Sequence, residues 1–197
     1  MKISVITINY NNINGLRQTI DSVINQTCKD FEYLIIDGGS EDGSIDILKE
    51  YAQSITYWVS ERDSGIYNAM NKGIERAQGE YCIFMNSGDY FYNNNVLDSV
   101  LSMLNGADFY TGKYQAIRSN EAPIIQNPPQ YVNLAFLLKG TLCHQATFIK
   151  TSLLKYRPYN ESYKIVSDWE EFLFEFMYNQ RFYQPLPILI SVFNLEG

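Results

Sequence analysis

Three acidic positions stand where a fold can most easily build chemistry. Asp89 closes Asn86-Ser87-Gly88-Asp89 directly behind the apolar run Tyr81-Cys82-Ile83-Phe84-Met85. Asp37 follows Phe31-Glu32-Tyr33-Leu34-Ile35-Ile36 and precedes Gly38-Gly39-Ser40, and Asp168 opens an aromatic-rich segment at Ser167-Asp168-Trp169-Glu170. A carboxylate at the carboxyl end of a parallel strand sits where α/β sheets bind ligands, so the three are expected to edge one polar cleft. Asp89, with Asn86, Ser87 and Gly88 beside it, suits Mg²⁺ or Mn²⁺, because these ions take much of their coordination from phosphate oxygens and water. Asp37 can accept hydrogen bonds from a nucleobase imide or ribose hydroxyls, while Gly38 and Gly39 let the backbone turn tightly against a flat ligand. Asp168 precedes an aromatic-rich amphipathic helix, where burial would make a carboxylate a better proton acceptor. Plainer readings stand beside each: a cap cluster from Asp37 to Ser44, a Ser-Gly-Asp turn, and a first-turn helix carboxylate.

Asp63 leads into a segment carrying Asn68, Asn71 and Lys72, whose amide and ammonium groups are donors for phosphate or sugar oxygens at a helix start of favourable partial charge. His144, the only histidine, lies beside Gln145 between apolar segments and can touch a substrate hydroxyl or a diphosphate, or be a structural histidine. Trp169, next to Asp168, is grouped with them on the acceptor side. The glycines between Asp37 and Gly43 lack the G-x-G-x-x-G spacing, which argues against NAD.

These residues need a scaffold, and apolar periodicity supplies one. Ile3 to Ile8 reads as a buried parallel strand, and Leu16, Ile20, Val23 and Ile24 as a helix capped by Asn14. Phe31 to Ile36 and Ile55 to Val59 read as strands around a helical stripe at Ile45, Leu48 and Ala52. Ile66, Ala69, Met70, Gly73, Ile74 and Ala77 form a third helix, capped by Ser64 and stopped by Gly79, ahead of the strand ending at Met85. Val96 to Leu104 makes a fourth helix ending at Gly106. Such alternation predicts an α/β fold with a mostly parallel sheet and helices on both faces. Beyond residue 107 the expectation is an irregular or antiparallel strand at Phe109 to Ile117, a turn at Asn127-Pro128-Pro129, a short helix from Tyr131 to Leu138, a strand from Ala146 to Ile149 and a helix from Asp168 to Tyr178. One domain over 1–197 is expected, with a nucleotide-sugar lobe at 1–106 and an acceptor lobe at 107–197.

At 46% hydrophobic and 19% charged residues the chain is a folded protein rather than a disordered one. Its net charge of −7 excludes a nonspecific nucleic-acid binder and favours a bridging cation for any polyanionic ligand. The three cysteines, with no C-x-x-C pair, support neither a disulfide framework nor a zinc knuckle. Neither a signal peptide nor a membrane-spanning run is read in the sequence, so a cytoplasmic location is expected.

Together these segments resemble the family 2 glycosyltransferases of GT-A fold, particularly small bacterial enzymes of polysaccharide and O-antigen assembly, over nearly the whole chain. Ile3 to Asn11 resembles the family's first strand, whose end, at Thr7, Asn9 and Tyr10, contacts the base. Leu34 to Ser44 resembles its nucleoside turn, with Asp37 and Gly39 as donor contacts. Asp63-Ser64-Gly65-Ile66-Tyr67-Asn68-Ala69-Met70-Asn71-Lys72-Gly73-Ile74 is the most specific match and implies donor roles for Asp63, Asn71 and Lys72. Asn86-Ser87-Gly88-Asp89 takes the place of the D-x-D motif, implying donor contacts at Asn86, Ser87 and Gly88 and a metal ligand at Asp89. Ser167 to Glu170 resembles the segment bearing the catalytic base, Asp168. Gly38 stands where many relatives have a second Asp, and Asn86 and Gly88 replace carboxylates of the commoner motif.

The resemblance implies inverting transfer of a sugar from a nucleoside diphosphate, UDP foremost, to an acceptor hydroxyl in cell-surface polysaccharide synthesis. It implies Mg²⁺ or Mn²⁺, a saccharide or lipid-linked saccharide acceptor, and peripheral contact with the inner face of the cell membrane. The chain ends at Asn194-Leu195-Glu196-Gly197, inside a segment that continues in relatives, so a shortened C-terminus is expected. Two other readings are a non-catalytic nucleotide-sugar or partner-binding domain and a sugar-phosphate nucleotidyltransferase. For the latter, Tyr10-Asn11-Asn12-Ile13-Asn14 is a poor triphosphate loop.

Overall fold

The structure, a computed structural model, describes residues 1–195; Glu196 and Gly197, part of the expected continuing segment, lie outside them. The first half alternates as the periodicity predicts: β1 (Ile3–Asn9), α1 (Ile13–Ile24), β2 (Phe31–Asp37), α2 (Ser44–Glu50), β3 (Tyr57–Ser60), α3 (Ile66–Arg76) and β4 (Tyr81–Phe84). There follow β5 (Tyr90–Phe91), α4 (Val96–Leu101), β6 (Phe109–Ile117), β7 (Ile124–Gln126), α5 (Leu134–Leu137), β8 (Thr147–Lys150), α6 (Thr151–Tyr156), α7 (Ser167–Met177) and β9 (Tyr183–Asn194).

Among the described residues nine strands make one sheet, in the order β3-β2-β1-β4-β8-β6-β9-β5, with β7 paired to β6. The first four are parallel. β8 is antiparallel to both β4 and β6, whereas β9 runs parallel to β6 and antiparallel to β5. β5, from the first 106 residues, therefore pairs only with β9, near the other end of the chain.

Because successive strand residues point to opposite faces, β1 sends Ile3 and Val5 into one core and Ile6 and Ile8 into another. α1, α2 and α4 cover the first face; α3, α6 and α7 cover the second. This is the mixed α/β architecture expected, a partly parallel sheet with helices on both faces.

Several boundaries differ from expectation. Asn12, not Asn14, caps α1, its side chain accepting the Gly15 N–H at 3.1 Å. α3 has no capping bond from Ser64; its cap residue is Gly65, at φ +136°. α3 stops at Arg76, before Gly79, and α4 stops at Leu101, before Gly106. α5 is only four residues long, bounded by a hydrogen bond from the Phe136 N–H to Asn133. β5, β7, α6 and β9 lie outside the sequence reading.

Gly79 locks the entry to β4 against the start of β1. Its N–H donates to Ser4 Oγ at 2.9 Å and to Glu32 Oε1 at 3.0 Å, and a Cβ there would come within 2.6 Å of the Ile3 carbonyl carbon and the Ser4 nitrogen. Backbone cannot give way as a flexible side chain can, so Gly79→Ala should lower stability by about 1–3 kcal/mol. A urea midpoint equal to that of the parent would contradict this packing.

Candidate active site

The carboxyl ends of β1, β2 and β4 open onto a cleft of about 660 Å³. On one side lie Asn9, Tyr10, Gly38, Gly39, Glu41, Arg62 and Asp63; on the other Asn86, Ser87, Asp89, Gln145, Phe193 and Asn194. Nucleoside-side and cation-side candidates thus share one hollow.

Asp37 shapes that hollow from beneath instead of lining it, a correction to the direct contact expected of it. It is fully buried. Its carboxylate accepts hydrogen bonds from Asn9 Nδ2 at 2.6 Å, Ser40 Oγ at 2.5 Å, Ser60 Oγ at 2.6 Å and the backbone N–H groups of Ser40 at 2.9 Å and Gly39 at 3.2 Å. Burial alone would push its pKa up, but donors at Ser40, Ser60 and Asn9 outweigh that and hold it below the ordinary carboxylate value. The chain then turns through Gly39 at φ +82°, a left-handed conformation that suits glycine. Gly38 has no room for a side chain, since a Cβ would lie 2.6 Å from Asp63 Oδ2. Asp63 fills the space beside the turn. Asn9 keeps its Oδ1 buried without a partner at the cleft wall, and Tyr10 leaves 66% of its surface exposed at the mouth.

Three other donor-side expectations move. Thr7 is buried, donating to the Met85 carbonyl at 2.7 Å, so it ties β1 to the exit of β4 rather than lining the cleft. Asn71 donates to the Tyr159 carbonyl at 2.8 Å, and Lys72 pairs with Glu61 at 2.8 Å. Both line a separate hollow of about 520 Å³ on the outer side of α3, because residues five and six beyond Ile66 have rotated away from the cleft. Gly88 is not a lining residue; at φ +103° it turns the chain and donates its N–H to Thr19 Oγ1 at 3.0 Å.

Asp89 lines the cleft although only 5% of its surface is exposed. Gln145 Nε2 donates to its Oδ2 at 2.9 Å and the Asn194 N–H to its Oδ1 at 3.0 Å. Burial raises its pKa to about 6, with these two donors only partly offsetting the cost. Asn86 Oδ1 is a buried acceptor without a partner, and Asn86 lines the same cleft. One carboxylate and one free amide oxygen fit a hard divalent cation that takes its remaining oxygens from a diphosphate and water. Among the described residues no group of three or more His, Cys, Asp or Glu side chains could hold a metal without such help.

Asp168 stands next to the cleft rather than in its wall. Tyr67, which follows the lining residue Ile66, donates to its Oδ1 at 2.7 Å; His144, which precedes Gln145, brings Nδ1 to 3.7 Å from Oδ2. His144 Nε2 pairs with the Tyr159 hydroxyl at 3.0 Å, and burial lowers the imidazole pKa, against the pull of Asp168. Trp169 donates to the Leu137 carbonyl at 2.6 Å, joining α7 to α5.

Arg62, Glu41, Phe193 and Asn194 are lining residues to which the sequence reading gave no site role. Arg62 had a signal, as the arginine immediately ahead of the Asp63 motif. Glu41 also had one, as part of the Leu34 to Ser44 turn; Phe193 and Asn194 had none, since their place depends on how β9 closes over the sheet.

Residues 4–195 match the protein-family model for Glycosyl transferase family 2. The chain belongs to that family. A PGL/p-HBAD biosynthesis glycosyltransferase of Mycobacterium tuberculosis is 29% identical over 177 residues, covering 85% of this chain and 66% of the relative. The chain thus spans just under two thirds of that relative's length. Crystalline S. aureus TarS in complex with UDP-GlcNAc superposes with a TM-score of 0.80 at 20% identity, over 98% of this chain and 58% of TarS. The mannosyltransferase PcManGT from Pyrobaculum calidifontis, in complex with GDP-Man and Mn²⁺, superposes at 0.70 and 15% identity, over 98% of this chain and 56% of that one. Both likenesses establish the fold. Among the described residues no helix of this family 2 chain is long and apolar enough to cross a membrane.

The raised pKa of Asp89 has a thermodynamic sign. The folded chain holds that proton more tightly than the unfolded chain, so the contribution favours folding at low pH and is lost as pH rises through about 6. In metal-free buffer Asp89→Asn should therefore gain stability over the parent between about pH 4 and pH 7, by on the order of 2–3 kcal/mol. Parallel urea-midpoint profiles for the two proteins would contradict the burial argument.

Proposed function

We propose that this chain carries out inverting transfer of a sugar from a nucleoside diphosphate, UDP foremost, to an acceptor hydroxyl in the assembly of a cell-surface glycan. The observation that carries this reading is the single cleft shared by the Asn9, Gly38 and Asp63 side and by Asp89. The family match favours sugar transfer over nucleotidyl transfer, and UDP-GlcNAc in TarS favours UDP.

In this reading the flat base lies along the Gly38-Gly39 turn, with Asn9 Oδ1 free to accept from it, and the diphosphate lies toward Asn86, Ser87 and Asp89. Asp89 and Asn86 Oδ1 would hold Mg²⁺ or Mn²⁺, which when bound offsets the charge gathering on the departing diphosphate. Gln145 keeps the Asp89 carboxylate oriented. Asp168, beside the cleft, takes the acceptor proton while the acceptor oxygen attacks C1 from the face opposite the diphosphate. The acceptor class is a saccharide or lipid-linked saccharide, met in the cytoplasm at the inner face of the cell membrane.

Asp168→Asn should bind UDP and Mn²⁺ as the parent does by calorimetry, yet turn over UDP-GlcNAc about 10²–10⁴-fold more slowly. Asp89→Ala should lose the Mn²⁺-dependent part of UDP affinity. Full turnover by Asp168→Asn would remove Asp168 from the base role, and equal affinity for UDP, GDP and free diphosphate would refute a base-reading turn.

A further inference from the structure

We propose that Tyr67 is a positioning residue for the transfer step: its hydroxyl holds one oxygen of Asp168 and leaves the other to take the acceptor's proton. The inference rests on the base role given to Asp168 above.

Tyr67 belongs to α3, whose start edges the cleft, and it is 5% exposed. Its hydroxyl lies 2.7 Å from Asp168 Oδ1 and 2.6 Å from the Ile165 carbonyl. A phenol has one proton to donate, so it can serve only one of these acceptors at a time. Toward an ionised Asp168 the bond is charge-assisted and preferred. Once Asp168 has gained a proton, the hydroxyl can turn to Ile165. Neither state strands a buried donor, which would otherwise cost free energy at the moment of reaction.

The second oxygen is differently placed. Oδ2 has no hydrogen-bond partner among the described residues; His144 Nδ1, at 3.7 Å, is too distant to donate. His144 is in turn fixed through Nε2 by Tyr159, whose ring packs on Tyr67 at 5.6 Å between centroids. The groups facing Asp168 are thus Tyr67 from α3, His144 ahead of β8 and Tyr159 beyond α6, with Glu170 and Glu171 following on its own helix. Burial and the neighbouring Asp168 push the Tyr67 phenol well up, so it remains a donor. In the step itself the acceptor O–H bond breaks, its proton goes to Oδ2, and the acceptor oxygen bonds C1. The C1–O electron pair leaves with the diphosphate.

The test is a carboxyl-carbon NMR titration of Asp168 in the parent and in Tyr67→Phe. Removing the charge-assisted donor should make Asp168 harder to ionise and move its midpoint upward relative to the parent. UDP affinity should stay unchanged. In the parent alone, the Tyr67 Cζ resonance should move with the Asp168 midpoint, a readout that does not depend on how the variant folds. An unmoved midpoint in Tyr67→Phe, or a Tyr67 resonance blind to Asp168, overturns the proposal. Failure of the base role is separate: it would appear as full turnover in Asp168→Asn, with both NMR results intact.

Discussion

The side of the cleft formed by Asn9 and Gly39 depends on one charge taken out of water. Asp37 is buried at the point where β1, β2 and β3 end, and a carboxylate there is tolerable only if its oxygens are paired. They are, by groups from each of the three strand ends: Asn9, the Gly39-Ser40 turn and Ser60. Three of these bonds come from side chains, and two come from the Gly39 and Ser40 N–H groups, so the last pair fixes the turn itself. The turn over Asp37 can therefore offer glycine main chain to a ligand while the charge that shapes it remains beneath. Loss of the carboxylate would strand donors from three strand ends at once, although backbone bonds from Gly38 to Asn9 and from Glu61 to Asp37 still join them.

Asp89 has the same side chain and the opposite environment. Two donors, Gln145 and the Asn194 N–H, do not make up for its burial, so ionisation is resisted in the free protein. A carboxylate in that state gains most from a cation, because the arriving charge supplies what the protein withholds. The two aspartates divide the labour by solvation: one is satisfied and holds shape, the other is left short and is ready for a ligand. Asn86 Oδ1 extends the same logic, as a buried acceptor kept unpaired beside it.

The alternating half of the fold was legible because β-branched runs and helical stripes are local signals. So was the collection of strand ends at one edge, which follows from parallel topology. Side-chain direction was harder. Asn71 and Lys72 belong to the Asp63 motif in sequence but have turned around α3 into another hollow, and nothing short of the helix's rotation against β1 and β2 decides that. Asp37 was found but not its depth, which depends on Ser60 arriving from β3. β9 was missed because Pro185 and Pro187 read against a central strand; the structure accommodates them where pairing with β6 slips, between Thr111 and Tyr114.

β9 also sets an order of events during synthesis. Asp89 leaves the ribosome long before Asn194, 105 positions downstream, and β5 has no partner until β9 arrives. All residues of β1 to β4 and of the Gly38-Gly39 turn emerge first, while the carboxylate proposed for the cation still lacks its main-chain donor. The Asp89 side of the cleft is thus finished only when the strand that closes the sheet has docked.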